Sequence, residues 1–534
     1  MYLPGLPSFL ALACVQSGGL RATSQRCPQP AASPPATATM APSPRKRTVV
    51  TPTLPALDVA ALPPVGDKAG AVRPRESSTS IEAADRAAAA FCSTIAQQQP
   101  ADGDADPAIV RFAPADFQDV CDAANLFFAE HPRRPRFGRE PCQVYNPANM
   151  HMHFGVREPT TGKILALVNM IPRTWTVGGT ELKVAGIGGV CSHPVLSRGK
   201  GYVQRLVWHC IDLMKQEGYH MSQLDGIRQR YAYYGYDKCG AVTTYEINRT
   251  NVRRYFAAVG ADMRGDEASS APGVRAPPMP VRFVPIAATA KGGPLLAKVQ
   301  AMQRASPAFF ERGDDFALLC GDDLHAALDA SDKFVGYLVG SDSTISEIEA
   351  ATSQAAVGMI AAWALERGAA QGRIHGDKDG HFTISVKLAP WQAKAGLGVA
   401  LGRFAEDVQT SADENWKVLD WASALSTTLA LRAATGKRRL GPGKVVVQLT
   451  DVVQLLTLTV DEHGVTSVSS VSGDRSVSDT VDVRTDSMTA MRVFWGPTAP
   501  EAVLEGKDED ESEALEVLSQ WCPLPLYTPS SDSV

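Results

Sequence analysis

The chain has no uninterrupted run of about 18 apolar residues, so the sequence excludes a spanning helix. It has no CxxC pair, and its ten cysteines are scattered, with no Cys/His grouping at zinc spacing. A compact zinc module is excluded, no metal is expected, and a disulfide scaffold does not suit so long a chain. Cys92, Cys121, Cys191, Cys210 and Cys320 read as small buried hydrophobes in a reducing compartment. Neither sign of charge dominates. With 52 basic and 57 acidic residues the formal balance is −5, which argues against a dedicated nucleic-acid binder. What is present is ordinary for a globular protein: 44% hydrophobic and 20% charged residues over 534 positions. At roughly 150 residues per domain, that length implies three or four domains.

Acid is missing from the start of the chain. Residues 1–50 carry Arg21, Arg26, Arg45, Lys46 and Arg47 but no carboxylate, and the first is Asp58. Such a leader is similar to organelle transit peptides. A plain disordered tail, or an extension upstream of a start at Met40, is the blander reading. Residues 1–107 are rich in Ala and Pro and cannot bury enough apolar surface to offset chain entropy, so they are expected to be disordered. The cytoplasm is the expected compartment, with an organelle as the alternative.

From Ala108 the pattern changes. Ile109–Phe112 reads as a strand and Phe117–Glu130 as an amphipathic helix. Strands follow at Met152–Arg157, Ile164–Ile171, Trp175–Val177 and Leu182–Val184, with a hairpin signal at Gly178-Gly179. Ile187–Ser192 is apolar and Gly-rich. It leads through Pro194 and Arg198-Gly199-Lys200-Gly201 into a helix whose apolar residues fall at Val203, Leu206, Val207, Cys210 and Met214. Strand Tyr219–Leu224 and helix Ile227–Tyr234 complete the unit, 108–264. After a Pro/Gly-rich joint a similar order of elements recurs over 281–438, with Pro390, Gly396-Leu397-Gly398 and a strand Trp416–Ala422 carrying Asp420. Residues 440–534 read as a smaller α+β module.

The chemistry sits at Gly188–Tyr202. A strand runs into a Gly-bearing turn that opens a helix. The free N–H groups of the first turn and the positive end of the helix dipole then make an anion site, to which Arg198 and Lys200 add charge. A pyrophosphate is the natural occupant. A dinucleotide fingerprint fails, because Gln204 stands where its third glycine belongs, and the P-loop pattern is absent.

Leu196-Ser197-Arg198-Gly199-Lys200-Gly201 resembles the coenzyme A loop of the GCN5-related N-acetyltransferase superfamily, Q/R-x-x-G-x-G/A, with Leu196 departing at the Gln/Arg position. Arg228–Tyr236 resembles the helix-to-strand corner of the same superfamily. The order of units resembles its enhanced-intracellular-survival branch. That resemblance implies an α+β / α/β fold. Two acyl-CoA N-acyltransferase-like domains, each a mixed sheet with flanking helices, would be followed by a smaller sterol-carrier-like domain. The second acyltransferase-like domain would lack coenzyme A. It further implies acyl transfer from acetyl-coenzyme A to a small-molecule or protein amine, and assembly with copies of itself.

The same resemblance implies a site. Arg198, Gly199, Lys200, Gly201, Tyr202 and Val203 would hold the pyrophosphate, and the backbone of Val190 and Ser192 the pantetheine amides. Tyr236 would serve as the acid that protonates the leaving thiolate. Tyr231, Tyr233 and Tyr234 read as packing. The base stays open among the Val534 carboxylate, Asp225, His193 and a water chain. A rival reading is a non-catalytic protein that uses its last module to bind an apolar ligand or a partner.

Overall fold

The computed structural model describes residues 107–129, 136–139, 142–262, 281–375, 382–436, 438–472, 481–504 and 512–533, all within one compact unit. The segment expected to be disordered lies outside these residues except for Pro107, and so does Val534. Among the described residues no helix is long and apolar enough to cross a membrane.

Three sheets organise the described chain. The path of the first runs Ile109–Arg111, His153–Arg157, Ile164–Val177, Thr180–Ser192, Met221–Leu224, Asn415–Val418 and Asp237–Lys238, with Ala308–Phe310 added beside Ile164–Val177. The four short strands expected between 164 and 192 are two long ones joined by the Gly178-Gly179 turn. Ladder bonds continue through the less regular residues between the apolar runs. The second sheet runs Asp407–Ser411, Val242–Asn248, Thr383–Leu388, Thr344–Ala350, Phe334–Gly340, Leu324–Leu328 and Arg282–Pro285. The third is Thr466–Ser472, Gln454–Val460, Gly443–Leu449 and Val483–Thr485.

The first two sheets share one pattern. Each makes three antiparallel pairings from its edge and then one parallel pairing. Each ends in two antiparallel pairings around a strand drawn from the other half of the sequence. Asn415–Val418 lies between Met221–Leu224 and Asp237–Lys238, while Val242–Asn248 lies between Thr383–Leu388 and Asp407–Ser411. The halves exchange one strand each.

Two sequence expectations change here. The strand Trp416–Ala422 stops at Val418, because Asp420 caps a helix, Trp421–Thr435, by accepting from the Ser423 amide at 3.1 Å. The helix that Gly396-Leu397-Gly398 opens follows Thr383–Leu388, one strand later than a counterpart of the coenzyme loop should. The true counterpart is the short link Ala351-Thr352 before helix Ser353–His375, which has neither glycine nor cation.

Helices Trp421–Thr435, Ser487–Trp495 and Ser512–Trp521 accompany the third sheet. Their core of Trp421, Phe494, Trp495 and Trp521 continues into Trp175, Phe310 and Trp416 of the first sheet. Burying one such side chain contributes about 1.5–3 kcal/mol, so the shared core binds the third module to the first sheet. A buried ion network adds a second tie. Arg312 Nη2 lies 2.6 Å from both Glu347 Oε2 and Asp532 Oδ2, and Arg173 Nη1 lies 3.4 Å from Asp532 Oδ1. The segment 522–533 is thereby pinned against both large sheets. Gln223 Nε2 donates to the Asp532 carbonyl at 2.9 Å, and the Thr528 amide donates to Asp413 Oδ2 at 2.7 Å.

Candidate active site

The site begins where two parallel strands part. Thr180–Ser192 pairs with Met221–Leu224 only from Val184↔Met221 to Gly186↔Gln223. Beyond Gly186 the flank of Ile187–Ser192 on that side has no ladder partner, and Val190 and Ser192 lie half-buried along it. On its other flank the strand slips register opposite Leu167–Asn169, a bulge that accommodates Gly189 and Val190.

After Ser192 the chain makes the expected loop. Ser197 is buried and its hydroxyl donates to the Leu165 carbonyl at 2.5 Å, which anchors the loop to the sheet. Arg198, Gly199, Lys200 and Gly201 are exposed. Gly199 and Gly201 have φ of +73° and +70°, a conformation that side chains with a Cβ resist. Gly201 is the N-cap of helix Tyr202–Gln216 and supplies no side-chain cap, so the amides of Tyr202 and Val203 at its first turn have no capping bond among the described residues. Among the described residues Arg198 and Lys200 make no ion pair or side-chain hydrogen bond. Two cations and two positive-φ glycines thus stand exposed at the start of the helix.

The three base candidates fare differently. His193 Nδ1 accepts from the amides of Val195 and Leu196 at 3.2 and 3.1 Å, so the ring holds the loop's first turn instead of facing the cleft. Asp225 is half-buried at the end of Met221–Leu224, and its Oδ1 accepts from the Gly226 amide at 2.7 Å. Helix Arg228–Ala232 is capped by Ile227, so Asp225 is not its N-cap. Val534 lies outside the described residues.

The acid candidate also changes. Tyr236 is fully buried, and its hydroxyl lies 2.7 Å from Ser222 Oγ. Ser222 spends its own proton on the Ala185 carbonyl at 2.8 Å, so Tyr236 donates to Ser222. The proton expected to reach the thiolate is therefore committed beneath the paired part of the sheet, and burial pushes the phenol's pKa up. Tyr231, read from sequence as packing, stands where the strands part. Its ring lies against the backbone of Gly226, where a Cβ would come within 2.7 Å of Cε2. Its hydroxyl has no hydrogen-bond partner among the described residues. Burial raises it to about 12; Arg230 opposes this, while Tyr234, Asp225 and Cys191 add to it. A glycine immediately before a Tyr-rich helix was the available signal. The corner itself is held by Asp237, which is buried and pairs with Arg228 and, at 3.0 Å, with Arg492.

Sequence reasoning also missed a carboxylate from the far half of the chain. Glu414 immediately precedes the exchanged strand, is 7% exposed, and neighbours Asp225. A buried polar group on the opposite side of the bulge went unread too. His153 pairs with Asn169, and the ring of Tyr145 meets His153 edge-on at 4.8 Å. Burial lowers His153 to about 4, so it is neutral at physiological pH.

Residues 109–239 match the acetyltransferase (GNAT) domain family. No curated protein sequence matches the chain significantly. Among solved structures, a GCN5-related N-acetyltransferase from Anabaena variabilis is similar at 16% identity and a TM-score of 0.53, covering 78% of this chain and 97% of its own. One from Kribbella flavida is similar at 16% identity and 0.51, covering 79% and 99%. A probable N-acyltransferase from Enterococcus faecalis is similar at 13% identity and 0.51, covering 79% and 98%. These likenesses concern the fold of most of the described chain. The cleft, the glycine loop and the corner Arg228–Tyr236 all fall inside residues 109–239, the segment similar to the acetyltransferase (GNAT) domain family.

Proposed function

We propose that this chain moves an acetyl or short acyl group from acyl-coenzyme A to an amine by direct attack in a ternary complex. The observation that carries the reading is the end of strand pairing at Gly186↔Gln223, followed within a few residues by an uncapped helix N-terminus opened by Gly199 and Gly201. The pantetheine amides take the place of the missing ladder partner along Val190 and Ser192. The pyrophosphate rests on the amides of Gly199 and Gly201–Val203 with Arg198 and Lys200 beside it. A backbone N–H of the parted strand polarises the thioester carbonyl. Tyr231 supplies the proton for the thiolate, because its phenol is protonated at neutral pH and its hydroxyl is uncommitted. The second half serves as a scaffold without coenzyme A, since Ala351-Thr352 offers no cradle. The last module is a sterol-carrier-like domain in this reading. Seven free cysteines among the described residues favour a reducing compartment such as the cytoplasm.

Calorimetry with acetyl-coenzyme A, followed by thiol release across an amine panel, tests the reading. Gly199→Val forces a β-branched residue into positive φ where no other atom lies within 4 Å of the new Cβ. The variant is expected to fold normally and to bind acetyl-coenzyme A at least about tenfold more weakly. Unchanged affinity would remove the loop from the site, and no binding by the wild type at millimolar ligand would overturn the function.

A further inference from the structure

The acyl-transfer reading needs a base that sequence did not identify. An amine with a pKa near that of lysine, about 10.4, arrives protonated at neutral pH and cannot attack until it loses that proton.

We propose, resting on that acyl-transfer reading, that Glu414 is the general base, delivered to the first domain's cleft by the strand the second half contributes. Its position follows from register. Asn415 pairs with Leu224, so Glu414 stands one step further along, beside Asp225, just past the point where Thr180–Ser192 leaves Met221–Leu224. Asn415 fixes that step by donating from Nδ2 to the carbonyls of Leu224 and Gly226 at 3.3 and 3.0 Å. Residues opposite one another in an antiparallel ladder face the same side. Leu224 packs in the same core as Tyr231, whereas Gln223 faces the segment 522–533. Glu414 shares the Gln223 side. Acid and base thus address the parting of the strands from opposite faces, with Asp225 within electrostatic reach of both.

Two observations separate Glu414 from a satisfied core carboxylate. It is more than nine-tenths buried, and its Oε2 has no hydrogen-bond partner. Ser533 donates to the carboxylate, Asp413 and Asp225 repel its charge, and Lys238 offsets them; burial is the largest influence and raises its pKa. A carboxylate held above its usual range is matched to taking a proton near neutrality. In the step itself, an ammonium N–H bond breaks and its proton goes to Glu414 Oε2. The freed nitrogen pair forms the bond to the thioester carbon, and the C–S bond breaks as the thiolate takes the Tyr231 proton. As the amide forms, the nitrogen loses its second proton, which passes through solvent to restore the Tyr231 phenol, and the proton on Glu414 leaves to solvent, so one proton is released per turnover.

The test is the pH dependence of kcat/KM with an amine that the wild type acetylates. Glu414→Gln keeps the shape and removes the base. The expected result is a loss of about 10²–10⁴-fold at pH 7, an acidic limb that disappears, and a defect that shrinks as pH approaches the amine's own pKa. Acetyl-coenzyme A affinity should stay unchanged. Ser533→Ala removes a hydrogen bond that favours the ionised form, so the limb should move to higher pH in a variant whose fold is not at risk. An unmoved limb in Ser533→Ala, a Glu414→Gln defect equal at every pH, or transfer of the limb's loss to Asp225→Asn overturns the assignment while leaving acyl transfer intact. A wild type that neither binds acetyl-coenzyme A nor acetylates any amine refutes the acyl-transfer reading itself and this assignment with it.

Discussion

Two tyrosines five residues apart differ in what their protons do. Tyr236 donates to Ser222 inside the core, and Ser222 remains satisfied by Ala185 if that donor is lost. Tyr236→Phe is therefore expected to cost about 1 kcal/mol of stability with turnover near normal. Tyr231→Phe keeps the ring against Gly226 and removes an uncommitted proton at the cleft. A kcat loss of about 10²–10⁴-fold is expected, with acetyl-coenzyme A affinity little changed. Steady-state kinetics and melting curves on both variants check the pair, and the reverse pattern would return the acid role to Tyr236. The sequence could narrow the acid to this corner, since Tyr231, Tyr233, Tyr234 and Tyr236 all stand there. Choosing among them required knowing which hydroxyls already had partners, and Ser222 and Ala185 belong to other strands.

At the scale of elements, local signals sufficed for the loop. Positive φ at Gly199 and Gly201 is something a sequence can announce, because glycine is the residue that adopts it without cost. The same signal misled at Gly396-Leu397-Gly398. Those glycines permit close packing within the second half. A Cβ on Gly398 would fall inside the Ala393 carbonyl and within 2.7 Å of the Tyr245 hydroxyl. Gly398→Val is expected to destabilise by about 1–3 kcal/mol through overpacking, with acetyl-coenzyme A affinity unaltered. Denaturant unfolding and calorimetry on one preparation would show it, and a normal fold with weakened coenzyme binding would contradict the scaffold role. Short strands misread in length, such as Trp175–Val177, merged into longer ones because a ladder is indifferent to side-chain identity between apolar runs.

For the molecule as a whole, the decisive features are long-range. Arg312 bridges Glu347 and Asp532, and its side chain is fully buried. Arg312→Met would leave the buried Glu347 carboxylate without its counter-charge and Asp532 with Arg173 alone, at an expected cost of about 3–5 kcal/mol. A loss under about 1 kcal/mol by urea unfolding would mean that Arg312 is not what holds the segment 522–533 in place. The sequence by itself determined the glycine loop, the corner that follows it, the apolar faces of the helices and the order of elements in the first half. Those features depend on residues near one another in the chain, through backbone conformation, periodicity and turn chemistry. Tertiary structure alone decided that Asn415–Val418 completes the first sheet and Val242–Asn248 the second. It also decided that Tyr236 is spoken for and that Glu414 is buried beside Asp225. Backbone ladders accept any strand of suitable register, and a side chain's burial and partners are set by segments hundreds of residues away, so neither property is written in a local window of sequence.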